Sequence, residues 1–184
     1  MKRVNKLSIL LVALAIAALS ISCATTKANK FIDEGNAAVK EGEQMAMEAD
    51  TKITALAGEL DKFPENRDEL KATAQEILTR LDKSIAKLRE ASGKFDEGSK
   101  TNLDAPLKEY LSLKSQEFNK HAEHLEVLKG IPNAVMDASI TDRPALDAKF
   151  TEIKGRVETL EKEWEDLAAR ATKIQEQNKD KFKS

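Results

Sequence analysis

The chain has 184 residues, with 30 Lys and Arg against 32 Asp and Glu, a formal net charge of −2. That balance does not favour nucleic acid or an anionic lipid surface, and a single cysteine excludes an intrachain disulfide or a zinc-ligating cysteine set. Aromatic residues make up only 4% while Ala, Glu, Lys, Leu and Asp dominate, a composition that favours long helices over sheets.

Lys2, Arg3 and Lys6 give the chain a positive start, and Leu7 to Ile21 follows as an apolar run broken only by Ser8 and Ser20. A bilayer-spanning helix needs about 20 apolar residues, so this run is too short to cross comfortably. A basic start, a short apolar run and a close on small residues is the pattern of a removable export signal. The run closes on Leu19-Ser20-Ile21-Ser22-Cys23.

Residues 1–23 resemble a bacterial lipoprotein signal. In that class a peptidase cuts just before a cysteine whose sulfur carries diacylglycerol, and the new amine is often acylated too. The family usually has leucine three positions before the cysteine; here Ser20 stands there and the leucine is Leu19. The resemblance implies a signal peptide over 1–22 and a lipid (palmitate-class) anchor on Cys23. It places the protein in the bacterial cell envelope, held to a membrane through that lipid. Ala24 is not the aspartate associated with inner-membrane retention, so the outer membrane is favoured, with the periplasmic or surface face open. Ser20-Ile21-Ser22 also fits an ordinary signal-peptidase site, which would leave the same N-terminus with a free thiol. An exposed thiol in an exported compartment is a liability that a lipidated sulfur lacks. Two or three acyl chains, at roughly 0.8 kcal/mol per buried CH2, make a stable anchor where one chain would not.

Residues 1–22 hold three of the basic residues and none of the acidic ones, so the remaining 162 residues carry 27 basic against 32 acidic, a balance of −5. That length is one ordinary domain. Residues 23–30 read as a short lipidated tether; its seven residues after Cys23, mostly polar, reach at most about 25 Å. A helical bundle is expected over 31–178, and 179–184 reads as a polar tail, with fraying from Gln175 onward.

The first predicted helix runs from Phe31 to Lys62, with a seam at steps of three and four through Ile32, Gly35, Val39, Gly42, Ala46, Ala49, Ile53, Leu56 and Leu60. Its first half is made of small residues, and Gly35 and Gly42 each cost about 1 kcal/mol of helix propensity. The preferred reading is a frayed, weakly packed beginning; the rival is close helix approach or a groove that receives something. Pro64 breaks the pattern, and Asn66 with Glu69 suggests a capping box for a second helix. Leu70, Ala74, Ile77, Leu81, Leu88, Ala91 and Phe95 line its apolar face, and Gly98 is a natural stop.

A third helix is predicted from Asp104, an N-cap with Pro106 in the first turn, to Gly130. Residues 132–139 read as a connector with room for one helical turn. Thr141-Asp142-Arg143-Pro144 starts a fourth helix whose seam alternates steps of three and four: Leu146, Phe150, Ile153, Val157, Leu160, Trp164, Leu167, Ala171, Ile174. The pairs Glu152/Arg156, Glu158/Lys162 and Asp166/Arg170 are spaced to support it. No stretch reads as a strand. The expected fold is all-α, an antiparallel four-helix bundle, up-down-up-down, with coiled-coil-like packing; the alternative is pairing of helices between chains.

Candidate chemistry is sparse. His121 and His124 lie i,i+3 on the third helix with Glu117 one turn before His121, but a bundle metal site needs a matching Glu-x-x-His on a second helix, and none exists. No metal and no cofactor is therefore expected, and His124 is expected to face water. Continuing the third helix's stripe puts Lys114 and His121 on or beside the seam. The plain reading is that Lys114 snorkels at the edge and His121 makes one hydrogen bond. The functional reading is a polar binding notch at Lys114 and His121. Trp164 reads as core. Nothing resembles a nucleophile elbow, phosphate loop or catalytic triad, so no catalytic residue is named and no enzyme is expected. Two functions remain: a lipid-anchored structural or interaction protein whose partners are envelope proteins or the cell wall, or a bundle carrying or sensing a small apolar ligand.

Overall fold

The computed structural model describes residues 23–182, and the expected signal peptide over 1–22 lies outside the described residues. Helix α1 spans Cys23–Gly58 and is followed by a 3-10 turn at Leu60–Lys62; α2 spans Arg67–Ser99, α3 Ala105–Leu128, α4 Gly130–Met136 and α5 Arg143–Gln177. The described residues are all-helical, with α1, α2, α3 and α5 packed as a bundle. Close backbone packing runs α1 on α2, α2 on α3 and α3 on α5, with α4 against α2 and α5.

Cross-helix pairs set direction and register. Glu34–Lys94 (2.9 Å), Glu41–Lys87 (2.9 Å) and Glu48–Arg80 (2.6 Å) step forward by seven along α1 and back by seven along α2. That is the signature of an antiparallel pair with a heptad seam. Phe95–Phe118 and Arg89–Glu126 join α2 to α3 antiparallel, and Lys120–Glu163 with Lys181–Asp104 do the same for α3 and α5. The up-down-up-down order follows.

The small-residue half of α1 is close packing, not a frayed end. A Cβ at Gly35 would stand 2.9 Å from the Phe95 ring tip, and one at Gly42 would stand 3.2 Å from Leu88. The glycines let the α1 backbone sink onto α2, and Ser84 donates across the buried contact to the Gly42 carbonyl (2.7 Å). Residues 24–30, expected as a tether, continue α1: they include good helix formers, and Ala28 is already 1% exposed.

Other ends differ from expectation for local reasons. The capping box at Asn66 does not form; the Asn66 amide donates instead to the Glu59 carbonyl (2.7 Å). Gly98 stops nothing by left-handed geometry; α2 passes it to Ser99, and its bare Cα lies under Leu111 and Phe31. The hydroxyls of Ser99 and Thr101 take up the last α2 carbonyls, at Asp96 and Gly98 (both 2.7 Å). Asp104 precedes α3 without capping it and pairs with Lys181. Pro132 has no N–H for the Leu128 carbonyl, so α3 ends there and α4 starts as a separate helix. Asp142 does cap α5, accepting from the Ala145 N–H (2.8 Å).

At one end of the bundle, two arginines tie the α1–α2 turn to the α4–α5 loop. Arg67 donates to the Ile140 carbonyl and stacks its guanidinium 4.7 Å over the Phe63 ring. Arg143 donates to the Leu60 carbonyl (2.6 Å). At the other end the expected polar tail folds back: Phe182 is 5% exposed and meets Tyr110 edge-on at 5.1 Å. One aromatic residue in an otherwise charged segment supplies the apolar area that docks it.

Candidate functional site

The polar stripe on α3 is real and longer than its two predicted members. Tyr110, Lys114, Glu117, His121 and His124 recur at steps of three and four, so they share one side of the helix. That side also carries Lys120, which binds Glu163, and His121, which stacks on Trp164, so α5 covers it.

Lys114 does not snorkel. Its side chain is 14% exposed, and its ammonium donates to both carboxylate oxygens of Glu117 at 2.8 Å. It also lies 4.5 Å over the Phe118 ring. Glu117 is 3% exposed. Burial pushes the Glu117 carboxyl above its usual range, and the Lys114 charge opposes that push. Glu43 on α1 joins the electrostatics: burial raises its carboxyl, Lys114 lowers it and Glu117 raises it. Tyr110, beside this group, has its hydroxyl pushed up to about 12, mainly by burial and then by the Glu117 charge.

His121 makes a ring contact in place of the expected hydrogen bond. It stacks on Trp164 with centroids 5.0 Å apart and an interplanar angle of 14°. Trp164 is partly exposed and its Nε1–H has no partner. His124 does not face water. It is 9% exposed, its ring centroid lies 6.0 Å from that of His121, and its Nδ1 has no partner. The physical reason is spacing: four residues on from Lys120 and three from His121, it falls on the side that α5 covers. Burial pulls both imidazoles down to about 4, with the neighbouring His124 adding to the effect on His121. Both rings are therefore neutral at pH 7.

The predicted notch at Lys114 and His121 is thus two adjoining features, a buried ion pair and a ring cluster. Glu117, weighed from the sequence only as a metal ligand beside His121, is the member of the site that was missed. Its spacing to Lys114 was the signal, since a Lys and a Glu three apart on a helix are neighbours. Among the described residues no group of three or more His, Cys, Asp and Glu is placed to hold a metal. The face of α1 that would wall an apolar pocket is filled by Phe95 and Leu88. Cys23 is the first residue of α1. Among the described residues no helix is long and apolar enough to cross a membrane. No family model, curated protein or solved structure matches this chain.

Proposed function

We propose that the chain is a lipid-anchored bacterial envelope protein, attached through Cys23, whose bundle serves as a rigid structural or interaction module rather than an enzyme. The observation that carries this reading is the continuity of α1. The helix runs from Cys23 to Gly58 without a break, and Ala28 is already buried against the bundle. At 1.5 Å per residue, α1 is about 54 Å long. An anchor at its first residue would leave almost no slack between lipid and domain. That suits a spacer or docking post better than a domain on a flexible leash. The interior supports the same view at two places: Phe95 and Leu88 fill the contact with α1, and Lys114 and Glu117 pair inside the bundle.

The decisive experiment is intact-mass analysis of the protein extracted from membranes. The expected product begins at Cys23 and carries the added mass of two or three acyl chains. An unmodified thiol recovered in the soluble fraction overturns the anchor. Crosslinking in whole cells, followed by native mass spectrometry of the extracted protein, tests the role. Protein partners support the interaction reading, whereas a retained small apolar molecule supports the carrier.

A further inference from the structure

We infer that the stretch of α5 beyond Gly155 is an acid-released segment, held on α3 at its middle by the His121–His124–Trp164 ring cluster and freed there when the two imidazoles take up protons. The geometry starts with how unevenly α5 is held. Its N-terminal third is clamped: Arg143 reaches the Leu60 carbonyl, Leu146 is fully buried, and Ile153 packs into the space left by Gly130. Gly155 follows, a helix-interior glycine with open space around it and the weakest point of helix propensity in α5. Beyond it only Val157 and Ala171 are buried, with Leu160, Trp164, Leu167 and Ile174 half-buried. The far end of that stretch is docked by Phe182 on Tyr110 and Lys181 on Asp104, and its middle rests on the Trp164–His121 stack and the Lys120–Glu163 pair (3.1 Å).

The cluster is poised because it is buried without polar compensation. The His124 Nδ1 and Trp164 Nε1 both lack partners. Among the described residues no carboxylate is paired with either ring, since Glu117 is held by Lys114 and both Glu123 and Glu163 by Lys120. On α3 the charged groups are Lys114 with Glu117 and Lys120 with Glu123, and α5 brings Glu161 and Glu163. On α1 Glu43 lies near enough to Lys114 and Glu117 to feel their charges, and on α2 Arg89 is bound to Glu126. Burial is the main cause of the downward shift at both rings, and the neighbouring His124 adds to it at His121. An imidazole that charges here must leave for water.

The direction follows from linkage. Each histidine sits at about 4 in the closed form against 6.5 when free. The closed form is therefore unpenalised above pH 6.5 and loses ground as pH falls towards 4. Each ring raises the open population on the order of 20-fold between pH 7 and pH 5. Glu43, Asp50, Glu117 and Glu161 act oppositely: burial raises their carboxyls, so acid favours the folded form through them. Variants of the histidines isolate the histidine part.

The chain has one tryptophan, so Trp164 emission reports the segment directly. In the full chain, in non-ionic detergent, lowering pH from 7 to 4.5 is expected to shift Trp164 emission to the red. Amide exchange, corrected for intrinsic pH dependence, is expected to rise at least tenfold over 157–177 while 143–153 and 67–99 hold. His121→Phe with His124→Leu, which keep the stack and the packing but cannot charge, should flatten both signals. His124→Gln alone, close in size and uncharged, should remove about half the response on a logarithmic scale if the double variant does not fold. An unchanged acid response in these variants, or opening of α2 together with α5, overturns the inference.

Discussion

Lys114 and Glu117 meet inside the bundle with 14% and 3% of their side chains exposed. A pair this deep contributes little net stability, because taking two charges out of water offsets most of their attraction. Removing one partner is another matter, since the survivor is left charged and unpaired. Glu117→Leu is expected to lower stability by about 3–5 kcal/mol in urea unfolding followed by circular dichroism. Lys114→Met combined with Glu117→Leu is expected to recover most of that loss or exceed the parent. If the double variant is as unstable as the single one, the ion pair does more than neutralise itself. The pair was half legible from sequence. The helical stripe placed Lys114 at the seam, but burial of Glu117 depends on the elements that pack over that side of α3, with Glu43 of α1 near enough to feel its charge, and no local pattern on α3 reports that.

Helix-scale behaviour is set by where glycine is pressed and where it is free. Gly35 and Gly93 both sit inside long helices, where alanine would gain about 1 kcal/mol of propensity. At Gly35 the new methyl would meet Phe95, which is 1% exposed and stacked on Phe118, so the ring has nowhere to go. Overpacking of this kind costs about 1–3 kcal/mol, and Gly35→Ala is expected to destabilise by ~1–2 kcal/mol. At Gly93 nothing lies within 4 Å, and Gly93→Ala is expected to stabilise by ~0.5–1 kcal/mol. Thermal unfolding of the two variants side by side decides it; equal effects would mean that α1 does not rest on α2 through its glycines. Here the sequence carries the positions but not their meaning. The seam of α1 is regular through Gly35 and Gly42, so the heptad was readable, whereas distinguishing a frayed start from a tight contact requires knowing that Phe95 and Leu88 stand opposite. The surface of α5 makes the same point. Asp166 and Arg170 pair as their spacing suggests (3.7 Å), but Glu152 is taken by Lys149 and Glu158 by Lys154, since an exposed carboxylate has several equally near cations.

Among the four bundle helices each packs mainly on the bundle helix before it, α2 on α1, α3 on α2 and α5 on α3, a topology of short-range contacts that folds readily and was legible from helix count and loop length alone. What the order of helices leaves unstated is that stability is unequal among them. Helix α2 has α1 on one flank and α3 on another, with α4 also packed against it, and ten of its residues are buried. Helix α5, of similar length, buries four. Local opening free energies follow the apolar contacts that must be broken, so the two helices should separate in native-state hydrogen exchange at pH 7. The α2 amides are expected to exchange only through global unfolding, with a denaturant dependence equal to that of the whole protein. Amides of α5 beyond Gly155 are expected to exchange through a smaller opening, at least tenfold faster and with a shallower denaturant dependence. Identical exchange in both would make the bundle a single cooperative unit. The uneven seating of α5 would then carry no energetic weight.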